Sequence, residues 1–256
     1  VSGTTHAYAN TASCVFPGSD TGGAYRVNVA GPPFNGADPP NTTEYYAYPS
    51  FIIGAWIYLS GGAGATDNQT IFAWGNAAVD PAPYRVFVTD TSDGNKLAVE
   101  MTWWDGSPTP TDTSGQYTWK SNSSIPKNTW THIAVAFSGG TDVSVVDNEP
   151  EFYINAVSSS IGGRPGVGRK YLRLTNTTDN ANAFLGGQRI SETTNEYCGL
   201  MDEVYVINSS SMHGSHTNYS IVSQSYNNKC PKNLYDVTGT SGITLHSDGN
   251  LRSWWR

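Results

Sequence analysis

Apolar and polar residues alternate along this chain in short runs that are bounded by turn residues. The runs are rich in aromatic and β-branched side chains, and no helical period persists over several turns before residue 208. Runs of this length and composition predict β-strands. The predicted strands are Phe51–Leu59, Gln69–Gly75, Tyr84–Thr89, Lys96–Trp104, Gln116–Lys120, Trp130–Phe137, Glu151–Ala156, Ala183–Gly186 and Gly199–Asn208. The chain is therefore predicted to be all-β.

The packing of these strands follows from the lack of predicted helices. The run Phe51–Leu59 is apolar on both faces, which is typical of a central strand. The dipeptide Asp93-Gly94 lies between two alternating runs and predicts a hairpin. Without helices to cover it, a sheet can bury its apolar face only against a second sheet. The sequence thus predicts a two-sheet antiparallel jelly-roll sandwich.

Composition changes this picture mainly at the surface. Charged residues make up 14% of the 256 residues, while hydrophobic residues make up 38% and aromatic residues 12%. This apolar content is sufficient for a sizeable core, and neutral Ser, Thr and Asn side chains are left to cover the exterior. Such a lysine-poor, neutral polar surface favours an extracellular or virion-surface location.

Charge and hydropathy also exclude two classes of partner. The net charge is -7 and the chain has no basic run, which argues against binding to nucleic acid or to anionic membrane surfaces. No apolar stretch approaches the ~18–20 residues that cross a bilayer as a helix. We therefore expect neither nucleic-acid binding nor insertion into a membrane.

The order of the predicted strands resembles that of the laminin G-like, concanavalin A-like jelly-roll family, to which the pentraxins are related. The segments that carry the resemblance are Ile71–Gly75, Asn128–Phe137, Phe152–Ala156, Phe184–Gly187 and Gly199–Val206. The resemblance covers roughly residues 5–228, and it implies one jelly-roll domain, which we place at residues 1–228. It also implies a short helix after the last strand, for which Asn218–Asn228 is the matching segment.

Residues 229–256 form a C-terminal extension outside this resemblance. The segment Gly242–Arg256 predicts a β-hairpin around Asp248-Gly249, and it carries the pair Trp254 and Trp255, which so short a segment cannot bury alone. An isolated hairpin is only marginally stable in water. The extension is therefore expected to pack on the sandwich, to dock on a neighbouring subunit, or to begin a further domain. Its two tryptophans are the candidate assembly residues.

Catalysis is not predicted. The glucanases that share this sandwich resemble one another in a Glu-x-Asp-x-(x)-Glu strand, which places an acid and a nucleophile on one face. None of the seven glutamates of this chain stands in that pattern. His132, at the start of an apolar strand, is expected to be a structural histidine rather than a catalytic base. The sequence thus predicts a protein that is not an enzyme.

A calcium site is one implication of the resemblance to pentraxins. The matching ligands are Asp67 and Asn68, which precede a strand, together with Gln188 and Glu192 in a later loop. Calcium takes six to eight oxygen ligands, several of them usually charged. Arg189 stands where a carboxylate is expected, so the alternative is that Asp67 and Asn68 are ordinary turn residues. Calcium is accordingly the one cofactor that the sequence suggests.

Carbohydrate binding is suggested by Trp103, Trp104 and Asp105 at the end of a predicted strand. A sugar ring offers an apolar face to an aromatic side chain and a rim of hydroxyl groups to polar side chains. Since neighbouring residues of a strand point to opposite faces, one of the two tryptophans is expected to face away from the core. The alternative is that this tryptophan only packs at the edge of the sheet.

The three cysteines, Cys14, Cys198 and Cys230, permit one disulfide or remain reduced. The resemblance implies that the first and last strands are antiparallel neighbours, which would set Cys14 near residue 208. On that basis the implied pairing is Cys14 with Cys230.

Two classes of function remain. The first is a recognition or adhesion domain that binds glycans or a surface protein, on a viral or extracellular particle. The second is a structural virion decoration or filament subunit that assembles, as a homo-oligomer or with neighbouring subunits, through the C-terminal extension.

Overall fold

The computed structural model describes the strands of the chain and several of its turns. The described residues are 14–17, 27–29, 51–60, 68–75, 84–104, 115–137, 149–163, 171–172, 182–187, 195–208, 218–227, 234–236 and 251–255. Within these residues the structure has fifteen strands, one α-helix and two short 3-10 turns, at Thr91–Asp93 and Leu234–Asp236.

The predicted all-β class is confirmed. The strands are β1 (Cys14–Pro17), β2 (Val27–Val29), β3 (Phe51–Leu59), β4 (Gln69–Gly75), β5 (Tyr84–Val88), β6 (Lys96–Trp104), β7 (Gly115–Ser124), β8 (Trp130–Phe137), β9 (Glu151–Ile154), β10 (Val157–Ser159), β11 (Ile161–Gly163), β12 (Tyr171–Leu172), β13 (Asn182–Leu185), β14 (Cys198–Asn208) and β15 (Leu251–Trp255). The helix α1 spans Asn218–Tyr226, within the segment predicted for it. Over the part of the chain that the structure describes, no helix has the length and apolar character needed to cross a membrane.

The strands form two antiparallel sheets, as predicted. The seven-stranded sheet has the order β1-β14-β3-β8-β9-β10, and β15 also pairs with β14. The eight-stranded sheet has the order β11-β7-β6-β5-β4-β13-β2, and β12 also pairs with β6. This arrangement is the two-sheet jelly-roll sandwich that the strand pattern indicated.

The main core lies between the two sheets. Strand β5 shows how alternation builds it: Tyr84, Val86 and Val88 are buried in the core cluster, while Arg85 and Phe87 take the other side of the strand. Each fully buried aliphatic or aromatic side chain contributes about 1.5–3 kcal/mol relative to exposure. The main core is therefore the dominant source of stability.

A second apolar cluster covers the outer side of the seven-stranded sheet. Helix α1 contributes Ile221 and Val222, strand β14 contributes Tyr205 and Ile207, and the second 3-10 turn contributes Leu234. All five side chains are buried. The helix therefore occupies this side of the sandwich.

One predicted strand is divided in the structure. Glu151–Ala156 was expected as a single strand, but β9 ends at Ile154. Asn155 and Ala156 have φ angles of 52° and 59°, which two successive residues adopt in the tight turns of two-residue hairpins. The chain therefore turns back at this point and forms β10, which the sequence pattern did not predict.

The C-terminal strand β15 packs on the sandwich of its own chain. Its backbone pairs with Val204–Ile207 of β14. The Trp254 side chain packs against the second apolar cluster, and its ring centroid lies 5.3 Å from that of Tyr235. The indole N–H of Trp254 donates a hydrogen bond to Glu203 Oε2. Of the three arrangements expected for the extension, these residues show the first, packing on the sandwich.

The remaining predictions for the extension stay open. Asp248-Gly249 and the first arm of the predicted hairpin lie outside the described residues, and so does the side chain of Trp255. The domain boundary at residue 228 and the assembly role of Trp254 and Trp255 stay predictions.

We expect Trp254→Ala to lower the free energy of unfolding by about 2 kcal/mol, less than the ~3–5 kcal/mol typical of a fully buried tryptophan. The side chain is only partly buried, but the substitution removes its packing on the second cluster and its hydrogen bond to Glu203. Urea unfolding of both proteins measures the difference. Val157→Ala, at a 68% exposed position, is the control, and equal stabilities of the two variants would contradict the docking of β15.

Candidate functional site

The outer face of the eight-stranded sheet carries charged and polar side chains. We use the name outer face for the side of β4–β7 that holds Thr70, Arg85, Phe87, Glu100 and Thr118. In the register of the sheet Arg85 is opposite Glu100, and Glu100 is opposite Thr118. These three residues therefore form one row across β5, β6 and β7, on the side away from the main core.

Arg85 is held from three directions on this face. Its Nε donates a hydrogen bond to Thr70 Oγ1 at 2.9 Å, and its Nη1 lies 3.7 Å from Glu100 Oε1. Its guanidinium carbon lies 4.3 Å from the centroid of the Phe87 ring. The Arg85 side chain is only 5% exposed. A buried charge needs such partners because it has lost its hydration, so the position of the guanidinium is fixed by its surroundings.

Glu100 links this buried arginine to the more exposed part of the row. Its side chain is 14% exposed. Its Oε2 accepts a hydrogen bond from the Thr118 hydroxyl at 3.3 Å, and Thr118 is partly exposed. An ionised carboxylate can only accept hydrogen bonds. The row therefore presents an acceptor whose orientation is set from two sides.

The turn between β5 and β6 adds a second ion pair beside the row. Lys120, two residues after Thr118 on β7, donates from Nζ to Asp93 Oδ2 at 2.5 Å. Asp90 Oδ1 accepts hydrogen bonds from the Ser92 hydroxyl at 2.6 Å and from the Asp93 amide at 2.9 Å. These two hydrogen bonds lower the pKa of the Asp90 carboxyl. The turn is thus fixed by its own polar side chains.

The tryptophans of the predicted carbohydrate site lie at the end of β6. Their backbones pair with Tyr171–Leu172 of β12. Trp104 is four residues after Glu100 on β6, so the two positions lie on the same side of the strand. Asp105 lies outside the described residues. The sheet thus brings the position of Trp104 into line with the polar row, while the role of Trp103, Trp104 and Asp105 in binding carbohydrate stays a prediction.

The described residues do not supply a calcium site. Of the predicted ligands, Asp67, Gln188 and Glu192 lie outside them. Asn68 Oδ1 accepts a hydrogen bond from the Asp90 amide at 3.3 Å, so this oxygen helps to hold a turn. The described part of the chain also contains no group of three or more His, Cys, Asp and Glu side chains able to hold a metal ion. Calcium therefore stays a prediction, and no function is derived through it.

His132 lies beneath α1 on the outer side of the seven-stranded sheet and is fully buried. Its Nε2 lies 3.2 Å from the Tyr205 hydroxyl, which lies 2.9 Å from Ser225 Oγ of the helix. The ring centroids of Trp56 and Tyr226 lie 5.4 and 5.8 Å from that of the imidazole. Burial lowers the pKa of His132 to about 3. This enclosed, neutral imidazole joins helix to sheet, in agreement with a structural histidine.

The position of Cys14 differs from the expected one. Strand β1 pairs with the first part of β14, so that Cys14 is opposite Met201 rather than near residue 208. The later part of β14 is occupied by β15. Three residues of strand, about 10 Å, separate Met201 from Cys198, which is too far for a disulfide between Cys14 and Cys198. Cys230 lies outside the described residues, so the Cys14–Cys230 pairing stays a prediction.

The Arg85–Glu100 pair was not predicted from the sequence, although part of a signal for it exists. Each residue interrupts an otherwise apolar run, and opposite charges in a cross-strand pair stabilise a hairpin. Counting outward from the predicted turn at Asp93-Gly94 would place Arg85 opposite Thr102, however, whereas the structure places it opposite Glu100, because the turn is centred one residue earlier, on Ser92-Asp93. Neither the register nor the burial of the pair can therefore be read from this count.

Solved structures show similarity at low sequence identity. A heptameric SAP-like pentraxin from Limulus polyphemus is 13% identical, with 83% of this chain and 80% of that chain covered and a TM-score of 0.48. The CBM40 of a Ruminococcus gnavus IT-sialidase, bound to α2,3-sialyllactose, is 13% identical, with coverages of 62% and 76% and a TM-score of 0.43. Tailspike protein 2 of an Escherichia coli O157:H7 bacteriophage is 14% identical, with coverages of 83% and 24% and a TM-score of 0.42. None of these values carries a conclusion about function.

Sequence comparison gives the family. No curated protein sequence matches this chain significantly. A laminin G-like family model, described as the concanavalin A-like lectin/glucanases superfamily, matches residues 53–211, more than half of the chain. The match begins in β3 and ends just after β14, so it includes strands of both sheets. The chain therefore belongs to the concanavalin A-like lectin/glucanase superfamily.

Proposed function

We propose that this protein is a non-enzymatic recognition domain that binds glycans through the outer face of the eight-stranded sheet. The observation that carries the proposal is the row Arg85–Glu100–Thr118, in which the partly exposed Glu100 is a fixed acceptor on the same side of β6 as the backbone position of Trp104. Glycan binding sites pair such polar groups with an aromatic ring. Glu100 and Trp104 are four residues apart on β6, about 13 Å along the strand, which suits an oligosaccharide rather than a single sugar ring.

The chemistry of the same face supports binding rather than cleavage. A retaining glycosidase needs two carboxyl groups about 5–5.5 Å apart. Glu100 contacts the side chains of Arg85 and Thr118. A carboxylate paired in this way with a guanidinium and a hydroxyl group is an acceptor for ligand hydroxyl groups.

We place this domain in an extracellular or virion-surface setting, where its ligand is a glycan or a glycosylated surface protein. The alternative function is a structural virion decoration or filament subunit that assembles through the C-terminal extension. The contacts of Trp254 with Tyr235 and Glu203 are made within one chain. These contacts favour recognition over assembly through that tryptophan.

A glycan array tests the proposed site. We expect the wild-type protein to bind a defined set of glycans, and Trp104→Ala and Glu100→Gln each to weaken binding at least tenfold, or about 1.4 kcal/mol. The matched controls on the other sheet are Trp130→Ala, at the start of β8, and Glu151→Gln, at the exposed start of β9. We expect both controls to bind like the wild type.

Two results would contradict the proposal. One is a wild-type protein that binds no glycan, in buffer with calcium and in buffer with a chelator. The other is equal binding by the site variants and their controls. Light scattering of the full chain across a range of concentrations tests the alternative function, for which concentration-dependent growth of particles is the expected result.

A further inference from the structure

We infer that Asn122 is the acceptor of an N-linked glycan when this chain is made in a eukaryotic secretory pathway. The inference goes beyond the proposed function, because it concerns a sugar attached to the chain and not one bound by it. It uses only the extracellular setting proposed above. The observation that carries it is an exposed carboxamide, without a partner among the described residues, two residues before an exposed serine hydroxyl.

The acceptor motif for such a glycan is Asn-x-Ser/Thr, in which the middle residue is not proline. The motif arises readily in a chain so rich in Asn, Ser and Thr, so the surroundings of each copy decide whether it can carry a glycan. The copies begin at Asn41, Asn68, Asn122, Asn176, Asn208 and Asn218. The structure describes the side chains of the asparagine and of the hydroxyl residue at Asn68, Asn122 and Asn218.

The backbone around Asn122 is fixed near the end of β7. The fully buried Ser121 donates from its hydroxyl to the Ser123 carbonyl at 2.7 Å. The Asn122 amide donates to the Ser160 carbonyl at 2.7 Å, and the Ser123 amide donates to Ser159 Oγ at 3.0 Å. The segment that joins β10 to β11 therefore holds this part of β7 through its backbone.

The Asn122 side chain is left outside these contacts. Asn122, Ser123 and Ser124 are all exposed, and no described residue forms a hydrogen bond with the Asn122 carboxamide. A Cβ on Gly162 would lie 2.9 Å from the Asn122 Cα, so the neighbouring strand approaches the backbone of this residue. The carboxamide can therefore carry a large polar group without the loss of any described contact.

The two other described copies of the motif are more enclosed. Asn68 is half-buried, and its Oδ1 accepts a hydrogen bond from the Asp90 amide at 3.3 Å. The hydroxyl residue of that copy, Thr70, is fully buried. Asn218, the first residue of α1, is half-buried, and so is the serine of its motif. Of the described copies, Asn122 is thus the one in which both the asparagine and the hydroxyl residue are exposed.

The modification is a glycosyl transfer from a lipid-linked oligosaccharide pyrophosphate, which the secretory pathway supplies together with the transferase. Asn122 Nδ2 attacks the anomeric carbon of the donor, so that a C–N bond forms and the C–O bond to the pyrophosphate breaks. Nδ2 loses one proton to a base of the transferase. The lipid pyrophosphate leaves with the electron pair of the broken bond, and nothing is oxidised or reduced.

The test uses the full chain, secreted from cultured mammalian cells behind a cleavable signal peptide. A peptide N-glycosidase in heavy-oxygen water converts each glycosylated asparagine to an isotope-labelled aspartate, which mass spectrometry of peptides locates. We expect the label at Asn122 in most secreted molecules and none at Asn68. We expect Asn122→Gln and Ser124→Ala to lose this glycan. The matched control, Ser123→Ala, leaves the motif intact and should keep it.

An unmodified Asn122 in the secreted protein overturns the inference, and so does a glycan on Asn68 in place of Asn122. If the protein is not secreted, cell-free translation with microsomal membranes gives the same readout. In that assay we expect Asn122→Gln to carry one glycan fewer than the wild type, and equal numbers overturn the inference. The array tests glycan binding separately, on protein made in bacteria, so a failure there overturns the proposed function alone.

Discussion

Replacing Gly199 with alanine is expected to lower the free energy of unfolding by about 3 kcal/mol or more, the sum of backbone strain and overpacking. Gly199 has a φ of 154°, and a Cβ atom at this position would lie 2.0 Å from the carbonyl oxygen of Tyr58. Gly199 is paired with Leu59 of β3 on one side and with Phe16 of β1 on the other. The neighbouring backbone therefore cannot move away without breaking a strand pairing.

Two further glycine variants separate the contribution of backbone strain from that of overpacking. Gly94 has a φ of 88°, but its added Cβ would meet only Ser124 Oγ at 3.5 Å, so Gly94→Ala should cost only the ~1–2 kcal/mol of a left-handed alanine. Gly163→Ala meets only the Lys120 side chain, at 3.6 Å or more, and should change stability by less than about 0.5 kcal/mol. Urea unfolding ranks the three variants. A cost for Gly199→Ala no greater than that for Gly94→Ala would contradict the close approach of β3 and β14.

Acidification from pH 7 to pH 5 is expected to remove about 2 kcal/mol of stability through His132 alone, and a further ~1 kcal/mol by pH 4. Burial lowers the pKa of His132 to about 3 in the folded protein, against about 6.5 in the unfolded chain. As the pH falls, the unfolded state binds the proton first. The stability is therefore complete above about pH 7 and decreases between about pH 6.5 and pH 3.

The control is His132→Phe, which keeps a ring beneath α1 but has no proton to bind. The readout is the slope of stability against pH between pH 7 and pH 5, where most carboxylates remain ionised in both states. Asp90, with its lowered pKa, contributes only below that range. We expect the variant to have a flatter slope than the wild type, whatever its absolute stability. Parallel slopes would show that His132 is not held neutral by burial.

The contacts around His132 explain why so large an effect is expected from one residue. Tyr205 lies opposite Gly54 in the pairing of β14 with β3, and a Cβ on Gly54 would lie 2.3 Å from the Tyr205 ring. The absence of a side chain at Gly54 therefore makes room for the ring that reaches His132 and Ser225. A charged imidazole in this enclosure would lack the water that stabilises it in the unfolded chain.

The fold class could be read from the sequence because strand formation leaves a local signal. Phe51–Leu59 and Lys96–Trp104 begin and end in the structure as predicted, since runs of apolar and β-branched residues between turns suit a pleated, buried surface. The short strands β10 and β12 were not predicted as separate elements. Strands of two or three residues are too short to show a period of their own, and they form because a neighbouring edge offers them hydrogen bonds.

The candidate site could be read only in part. Trp104 was predicted as a ligand-binding residue from its place at the end of a strand; its backbone lies on the same side of β6 as Glu100, and its role in binding stays a prediction. The predicted calcium ligands gave no site among the described residues, since the Asn68 side chain is used in a hydrogen bond to the Asp90 backbone. Which polar groups hold a turn and which face a ligand depends on contacts between segments that are distant in the chain.

By itself, the sequence determined that the chain folds as two antiparallel sheets, because alternation, turn residues and the lack of helical periodicity are properties of neighbouring residues. Only the tertiary structure decided that the Arg85 and Glu100 side chains are largely enclosed, at 5% and 14% exposure, because exposure depends on what lies over each face of the sheet. It also decided that β15 completes the edge of β14 beside β1. A strand of five residues has many equivalent edges open to it, and its partner is selected by the packing of Trp254 against a cluster that exists only after folding.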